Sequence, residues 1–393
     1  FPRLARVDVD HALRLWKKYE SRYSFSSLQL QKIQDSIAYY ILLRDKDKHT
    51  GWLDDYLVSR HDDKLLERRL RWVVSNGEWA NFLYLHSGLS ERRQQANSWS
   101  YWSAVALSEM GKVDEAKARW KRLSGERDFY GFISAERLGL PYSLNHQPFV
   151  AAASPSILQH AGVVRASELI YHEQPRLAQS EWSYLLSGLD VASKEQLSSH
   201  AIDEGWYRLG IDAANHAEAW DRLELRFPAP YADVYSQYAS QHGVPDTELL
   251  SISRRESAFY PDANSPVGAK GLMQLMPATA RVVARRLGDQ TLSGDLYNIE
   301  NNVSLGSAYY KQLLDRYKGN RVFSLAAYNA GPQRVRAWRG KGENMDVYRW
   351  IESIPFRETR EYVQGVLAYN VVYSALANTP VTLLNETERS ASY

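Results

Sequence analysis

The stretch from Glu248 to Pro277, ELLSISRRESAFYPDANSPVGAKGLMQLMP, decides how the chain is read. If Asp246 caps a helix that runs through Tyr260, then Leu249, Ile252, Glu256 and Phe259 recur at spacings of three, four and three on one apolar stripe. A carboxyl group then sits on a buried face. Its neighbours one turn away, Ile252, Ser253, Phe259 and Tyr260, supply no cation, and Arg254 and Arg255 point elsewhere. Desolvation without a cationic partner raises a Glu above its reference pKa of about 4.3, toward what a general acid near neutrality requires. A salt-bridged structural Glu is the competing reading, and this helix alone does not separate the two. Beyond it, Pro261, Asp262, Asn264, Pro266, Gly268 and Gly271 predict an irregular loop that folds back. That return brings Ser265 and GLMQLMP over the acid, and Pro277 opens the next helix at its first position.

Three stretches follow. Asn298 is expected to cap a helix carrying Ile299, Val303, Gly306, Tyr310, Leu313 and Tyr317. Phe323 to Ala330 is expected to form a buried helix ended by Gly331 and Pro332. Tyr328 and Asn329, near its end, are either capping or site residues. The segment IPFRETREYVQGVLAYNVVYSAL predicts a long amphipathic helix led by Glu358, Thr359 and Arg360, a charged first turn that is solvated by default.

Toward the N-terminus the chain reads as short amphipathic helices with brief polar turns and no strand signal. They are expected over 9–23, 27–44, 51–59, 64–74, 78–87, 91–109, 113–123 and 129–138. The hairpin around Gly111, with Ala104, Leu107 and Ala116 at close-contact positions, loosely resembles one tetratricopeptide unit, but its period is not shared, which favours an irregular solenoid. Most of the Trp residues here fall within helical periodicity and read as packing residues. A loop-like stretch, SLNHQPFVAAASPS, marks a boundary. Helices are then expected near 163–172, 175–187, 194–204 and 206–214, before Pro228 and Pro230 break the pattern.

The 393 residues allow two or three domains with ample core. A formal charge of +2 gives no sign of a nucleic-acid partner, and no cysteine means no disulfide, thiolate metal site or cysteine nucleophile. His172, His200 and His216 show no metal-ligand spacing. The 12 Trp and 26 Tyr suit either aromatic cores or sugar stacking. No stretch reaches the ~18 continuous apolar residues of a membrane span. The opening FPRLARVDVD lacks an initiator Met, so a signal or longer N-terminal portion is expected to have been removed.

ESAFYPDANSPVGAKGLMQLMP, AAYNAGPQRVRAW and ESIPFRETREYVQGVLAYN resemble, in order, the three signature blocks of the soluble lytic transglycosylases of Gram-negative bacteria, with Glu256 and Gln274 eighteen residues apart. The resemblance covers the last third directly and extends more weakly through GKVDEAK and ERDFYGF. It implies a mainly α fold: a superhelical (solenoid) domain over 1–145, a helical linker over 146–226 and a lysozyme-like catalytic domain over 227–393. It also implies cleavage of the MurNAc-β-1,4-GlcNAc bond of peptidoglycan with 1,6-anhydro ring closure, without cofactor or metal. Glu256 corresponds to the family's catalytic carboxylate, acid first and then base. Ser265 matches the serine beside the acid, Gln274 and Met276 the sugar subsites, Tyr328 the tyrosine that orients the carboxylate, and Glu358 a substrate contact. Met273 and Asn329 are grouped with these substrate-binding residues. The blocks hold no second carboxylate of the kind a retaining hydrolase needs about 5 Å away or an inverting one about 6.5–9.5 Å away. The N-terminal helical part is short for the family, so its ring is expected to be partial. Glycan strands are the expected partner of a periplasmic monomer, with other cell-wall enzymes left open. A hydrolytic muramidase and an inactive glycan-binding scaffold are the competing functions.

Overall fold

The computed structural model describes residues 1–44, 46–150, 153–339 and 345–393. Regular structure among them is helical, and the extended pairings are isolated bridges joining Asn264 to Lys270 and Lys270 to Leu275. Short polar side chains start many of these helices by accepting backbone N–H groups left unpaired in the first turn. Asp8, Ser26, Asp62, Asp128, Asn298 and Asn320 all do so.

From Pro2 to Leu138, amphipathic helices pack in succession around Trp16, Phe82, Trp99, Trp102 and Phe132, each at most 2% exposed. Helices Asn97–Glu109 and Val113–Leu123 form the hairpin expected around Gly111, with Ala104, Leu107 and Ala116 buried. Glu91 to Glu109, expected as one helix, is two, Glu91–Gln94 and Asn97–Glu109. In the stretch read as a loop, Ser143 to Val150 carries no regular structure, Ala151 and Ala152 lie outside the described residues, and Ser154 caps a short helix, Pro155–Leu158.

Helices Ala161–Tyr171, Pro175–Ser187, Val191–Asp203 and Tyr207–His216 enclose a separate core around Trp182, Leu186 and Leu197. By contrast, one continuous apolar cluster runs from Ala5 through Ile133 and on through Leu249, Phe323, Val363 and Tyr393. The division proposed at 145/146 and 226/227 thus marks chain segments, because the first and last share a core. No described helix is long and apolar enough to cross a membrane.

In the last segment, the acid-bearing helix is Asp246–Glu256, shorter than expected. Pro245, not Asp246, occupies its cap position, and Asp246 Oδ1 instead accepts the neighbouring Thr247 N–H at 2.7 Å. The helix stops at Glu256 because Ala258 and Phe259 turn left-handed, with φ of 50° and 62°. Phe259 remains 1% exposed but reaches the core through this turn. Pro277 opens helix Pro277–Leu287 and Asn298 caps Ile299–Arg316, both as expected. The buried helix starts two residues earlier than expected, Arg321–Ala330. Pro332–Arg339 and Val347–Ser353 were not expected, and the long helix is Arg357–Leu376.

Candidate active site

Glu256 is the last residue of its helix and is half-buried. Burial raises its carboxyl to about 8, against the opposing pull of the Tyr362 hydroxyl and the Arg255 charge, and Glu358 adds a further push upward. Near neutral pH the group is therefore a protonated acid. Arg254 points away, as expected, donating to the Arg226 carbonyl at 2.8 Å. Arg255, expected to be out of reach, is exposed yet acts on the acid through its charge.

Directly after the acid, the loop folds back and is fastened at several points. The Ser257 hydroxyl donates to the Leu272 carbonyl at 2.8 Å, and the Gly271 N–H to the Ala263 carbonyl at 2.9 Å. Ser265 Oγ accepts the Ala269 N–H at 2.9 Å, and the Gln274 amide donates to the carbonyls of Gly271 and Ala263 at 2.8 and 3.2 Å. Beneath lies Asn302, fully buried, which accepts from Met273 N–H at 2.8 Å and donates to the carbonyls of Leu296 and Lys270 at 2.8 and 3.0 Å. Gly271, at φ 76°, leaves room for this, since a Cβ there would stand 2.2 Å from Asn302 Nδ2.

Around this loop the structure places the expected site residues as follows. Met276 is 41% exposed at the mouth of helix Pro277–Leu287, open to a ligand. Met273, expected in a sugar subsite, is 0% exposed and packs on Gly306; its side chain fills the core, because the amide it offers to Asn302 turns the side chain inward. Tyr328 does not hold the carboxylate by a hydrogen bond as expected. Its hydroxyl donates to the Met273 carbonyl at 2.8 Å, although the ring lies within the field of Glu256. Asn329 Oδ1 accepts from the Thr359 hydroxyl at 2.7 Å, joining the AYNAG helix to the start of Arg357–Leu376. Glu358 is exposed in that helix's first turn and acts electrostatically on the acid.

The residue that sequence reasoning passed over is Tyr362, one turn beyond Glu358. Its hydroxyl is buried and meets hydrogen-bond geometry with no group, yet it lies near enough to Glu256 to favour the ionised form. The i, i+4 relation to Glu358 places the two on one helix face but does not by itself point to the acid. Asn302, in the pair Asn301–Asn302, offered no signal, because its three partners lie on other segments. Among the described residues no cluster of His, Asp or Glu is gathered as a metal site requires. A cavity of about 530 Å³ lined by Arg316, Tyr317, Pro332, Gln333, Arg336 and Arg339 does not include the acid.

Comparison with known proteins accords with this geometry. Residues 233–351 match the Transglycosylase SLT domain, 156–223 the soluble lytic murein transglycosylase L domain, and 353–381 the soluble lytic transglycosylase helical domain. The soluble lytic murein transglycosylase of Escherichia coli K12 is 33% identical over the whole chain, and that of Salmonella typhimurium 32%; the chain spans 62% of each. The crystal structure of the 70 kDa soluble lytic transglycosylase of Escherichia coli superposes with a TM-score of 0.90 at 33% identity, over 100% of this chain and 64% of that one. An inactive mutant of lytic transglycosylase Slt from Pseudomonas aeruginosa gives 0.87 at 35% identity, over 99% and 64%. The chain thus spans about three fifths of the length of these relatives. With its helical superhelix, its lysozyme-like catalytic region and this end-to-end similarity, the chain belongs to the soluble lytic murein transglycosylase family.

Proposed function

We propose that the protein is a peptidoglycan lytic transglycosylase that cleaves the MurNAc-β-1,4-GlcNAc bond and leaves a 1,6-anhydroMurNAc end. The observation that carries this reading is one protonated, half-buried acid, raised to about 8, at a helix end that leads straight into a pinned loop. Glu256 gives its proton to the glycosidic oxygen as the bond from that oxygen to C1 of the muramic acid breaks. The substrate's N-acetyl oxygen stabilises the oxocarbenium-like centre. The C6 hydroxyl then attacks C1 and returns its proton to the Glu256 carboxylate, so the acid is regenerated and no water is consumed. Tyr362 and Arg255 favour the ionised intermediate state of the acid, while burial favours the resting one. Ser265, Gln274, Met276, Asn329 and Glu358 are proposed to line the sugar subsites, Ser265 and Gln274 chiefly by shaping the loop.

A second reading, a hydrolytic muramidase, is favoured by one observation: Glu358 is a second carboxylate in electrostatic range of the acid. Mass spectrometry of muropeptides released by the protein separates the two. Anhydro ends, lighter by one water, are expected, and reducing muramic acid ends overturn the transglycosylase reading. Glu256→Gln is expected to abolish turnover while retaining peptidoglycan binding; substantial residual cleavage refutes a single-acid mechanism. Similarity to murein enzymes supports action in the periplasm on glycan strands. A 70 kDa soluble lytic transglycosylase, 33% identical to this chain, has been solved in complex with bulgecin A, so binding of that compound is a direct probe of the proposed sugar subsites.

A further inference from the structure

Helix Arg357–Leu376 presents Glu358 and Tyr362 toward the acid. Arg360 and Gln364, each two residues on and so about 200° around the helix, face the other way. On that far side lies a carboxylate for which the proposed reaction has no use. Glu352, 1% exposed at the end of helix Val347–Ser353, accepts from Tyr130 OH at 2.6 Å, Trp102 Nε1 at 3.1 Å and Arg71 Nε at 3.1 Å, and stands 3.8 Å from Arg360 Nε. Tyr130, Trp102 and Arg71 come from three separate helices of the first segment, more than two hundred residues away in sequence. Tyr130 OH in turn accepts from Gln364 Nε2 at 2.9 Å, and Arg360 donates to the Ile354 carbonyl at 2.8 Å. Three residues before Glu352, Arg349 binds the carbonyls of Val74 at 2.9 Å and Ser75 at 2.5 Å, closing the end of helix Asp63–Asn76.

We infer that Glu352 is a positioning residue: by drawing Arg71, Trp102 and Tyr130 of the first segment and Arg360 of the long helix onto one carboxylate, it sets the rotation of that helix and hence the placement of Tyr362 and Glu358 against Glu256. This inference rests on the proposed lytic activity. A helix contacted on opposite faces cannot turn without changing both sides. Arg71 and Arg360 are two cations sharing this one buried carboxylate, so neutralising Glu352 leaves them to repel each other, and the helix is the element that moves. Packing of its buried residues already limits the helix's rotation, and the hydrogen-bonded cluster ties it to specific partners in the first segment. The helical first segment then reaches the chemistry through this cluster.

The test uses the whole chain, with Glu352→Gln and the milder Tyr130→Phe, which removes only the hydroxyl that links Glu352 to Gln364. Steady-state release of anhydromuropeptides from purified peptidoglycan is followed across pH. Both variants are expected to lower kcat, about tenfold or more for Glu352→Gln and a few-fold for Tyr130→Phe, with KM within about twofold of the unaltered protein. The basic limb of the pH profile is expected to move as Tyr362 and Glu358 shift against the acid. Replacing both Arg71 and Glu352 by Met is expected to recover part of the loss seen in Glu352→Gln. A folded Tyr130→Phe protein with unchanged kcat and pH profile overturns the inference, as does a loss confined to thermal stability in both single variants. If the unaltered protein releases no anhydromuropeptide, the proposed function itself fails, which is a different result.

Discussion

At the residue scale, Glu256 keeps its proton to about pH 8 because burial outweighs the pull of Tyr362 and Arg255. Its folded pKa lies above the ordinary 4.5, so folding favours the neutral form. The stability this contributes is fully present below about 4.5 and is lost as pH rises through about 8. Glu256→Gln cannot ionise. It is expected to match the unaltered protein in thermal unfolding near the acid end of that window and to exceed it above the window, at roughly 1.4 kcal/mol per pKa unit; parallel stability curves would contradict the raised acid. Catalysis runs the same way, with kcat/KM falling as pH passes about 8 and the acid ionises. Tyr362→Phe removes a group that favours ionisation, so this limb should move to higher pH, by up to about one unit. Stability of that variant should change by less than about 1 kcal/mol, because the hydroxyl meets hydrogen-bond geometry with no group. A limb that stays put or moves down sinks the role given to Tyr362. Glu256 was legible as a candidate from its place on an apolar stripe, and the resemblance of the three blocks set the acid apart from a salt-bridged structural Glu. Tyr362 was not legible, because its partner lies 106 positions away and only the fold brings the two together.

At the scale of elements, the loop after the acid behaves as one fastened unit. Asn302→Ala orphans the Met273 N–H and the Leu296 carbonyl, each costing about 1–3 kcal/mol, while the Lys270 carbonyl keeps the Leu275 N–H at 3.0 Å. Gly271→Ala forces a Cβ to 2.2 Å from Asn302 Nδ2 at a φ of 76°, strained on both counts. Both variants should unfold several kcal/mol sooner in urea and lose activity together. A stable but inactive Asn302→Ala protein would mean that this residue acts on substrate instead. The loop's existence was legible in its prolines and glycines, as was the start of the following helix at Pro277. The end of the acid helix was not. Ala258 and Phe259 are not residues that announce a left-handed turn, and the turn is held by Ser257 reaching the Leu272 carbonyl across the loop. Likewise Met273 reads as a subsite residue by its place in the block, while its backbone bond to Asn302 turns it inward.

At the scale of the molecule, the last residues are tied back into the catalytic region. Glu388, 0% exposed, pairs with Arg321 Nε and Nη2 at 2.8 Å each and accepts the Arg321 N–H at 2.9 Å; Glu248 stands 3.7 Å from the same guanidinium. Glu388→Ala leaves that buried cation with the Leu383 carbonyl at 3.1 Å and one carboxylate, Glu248 at 3.7 Å, and is expected to cost about 3–5 kcal/mol by chemical denaturation, more than Glu388→Gln. A loss below about 1 kcal/mol would show that the C-terminal docking is incidental. Local patterning determined the helical class, most helix positions and the candidate acid, because 3.6-residue periodicity, caps and breakers act within a few residues. Tertiary structure decided how the acid is tuned, which methionine faces outward, where the Tyr328 hydroxyl goes, and that the first and last segments share one core through Glu352. Burial, and partners tens to hundreds of residues apart, exist only once the chain has closed on itself.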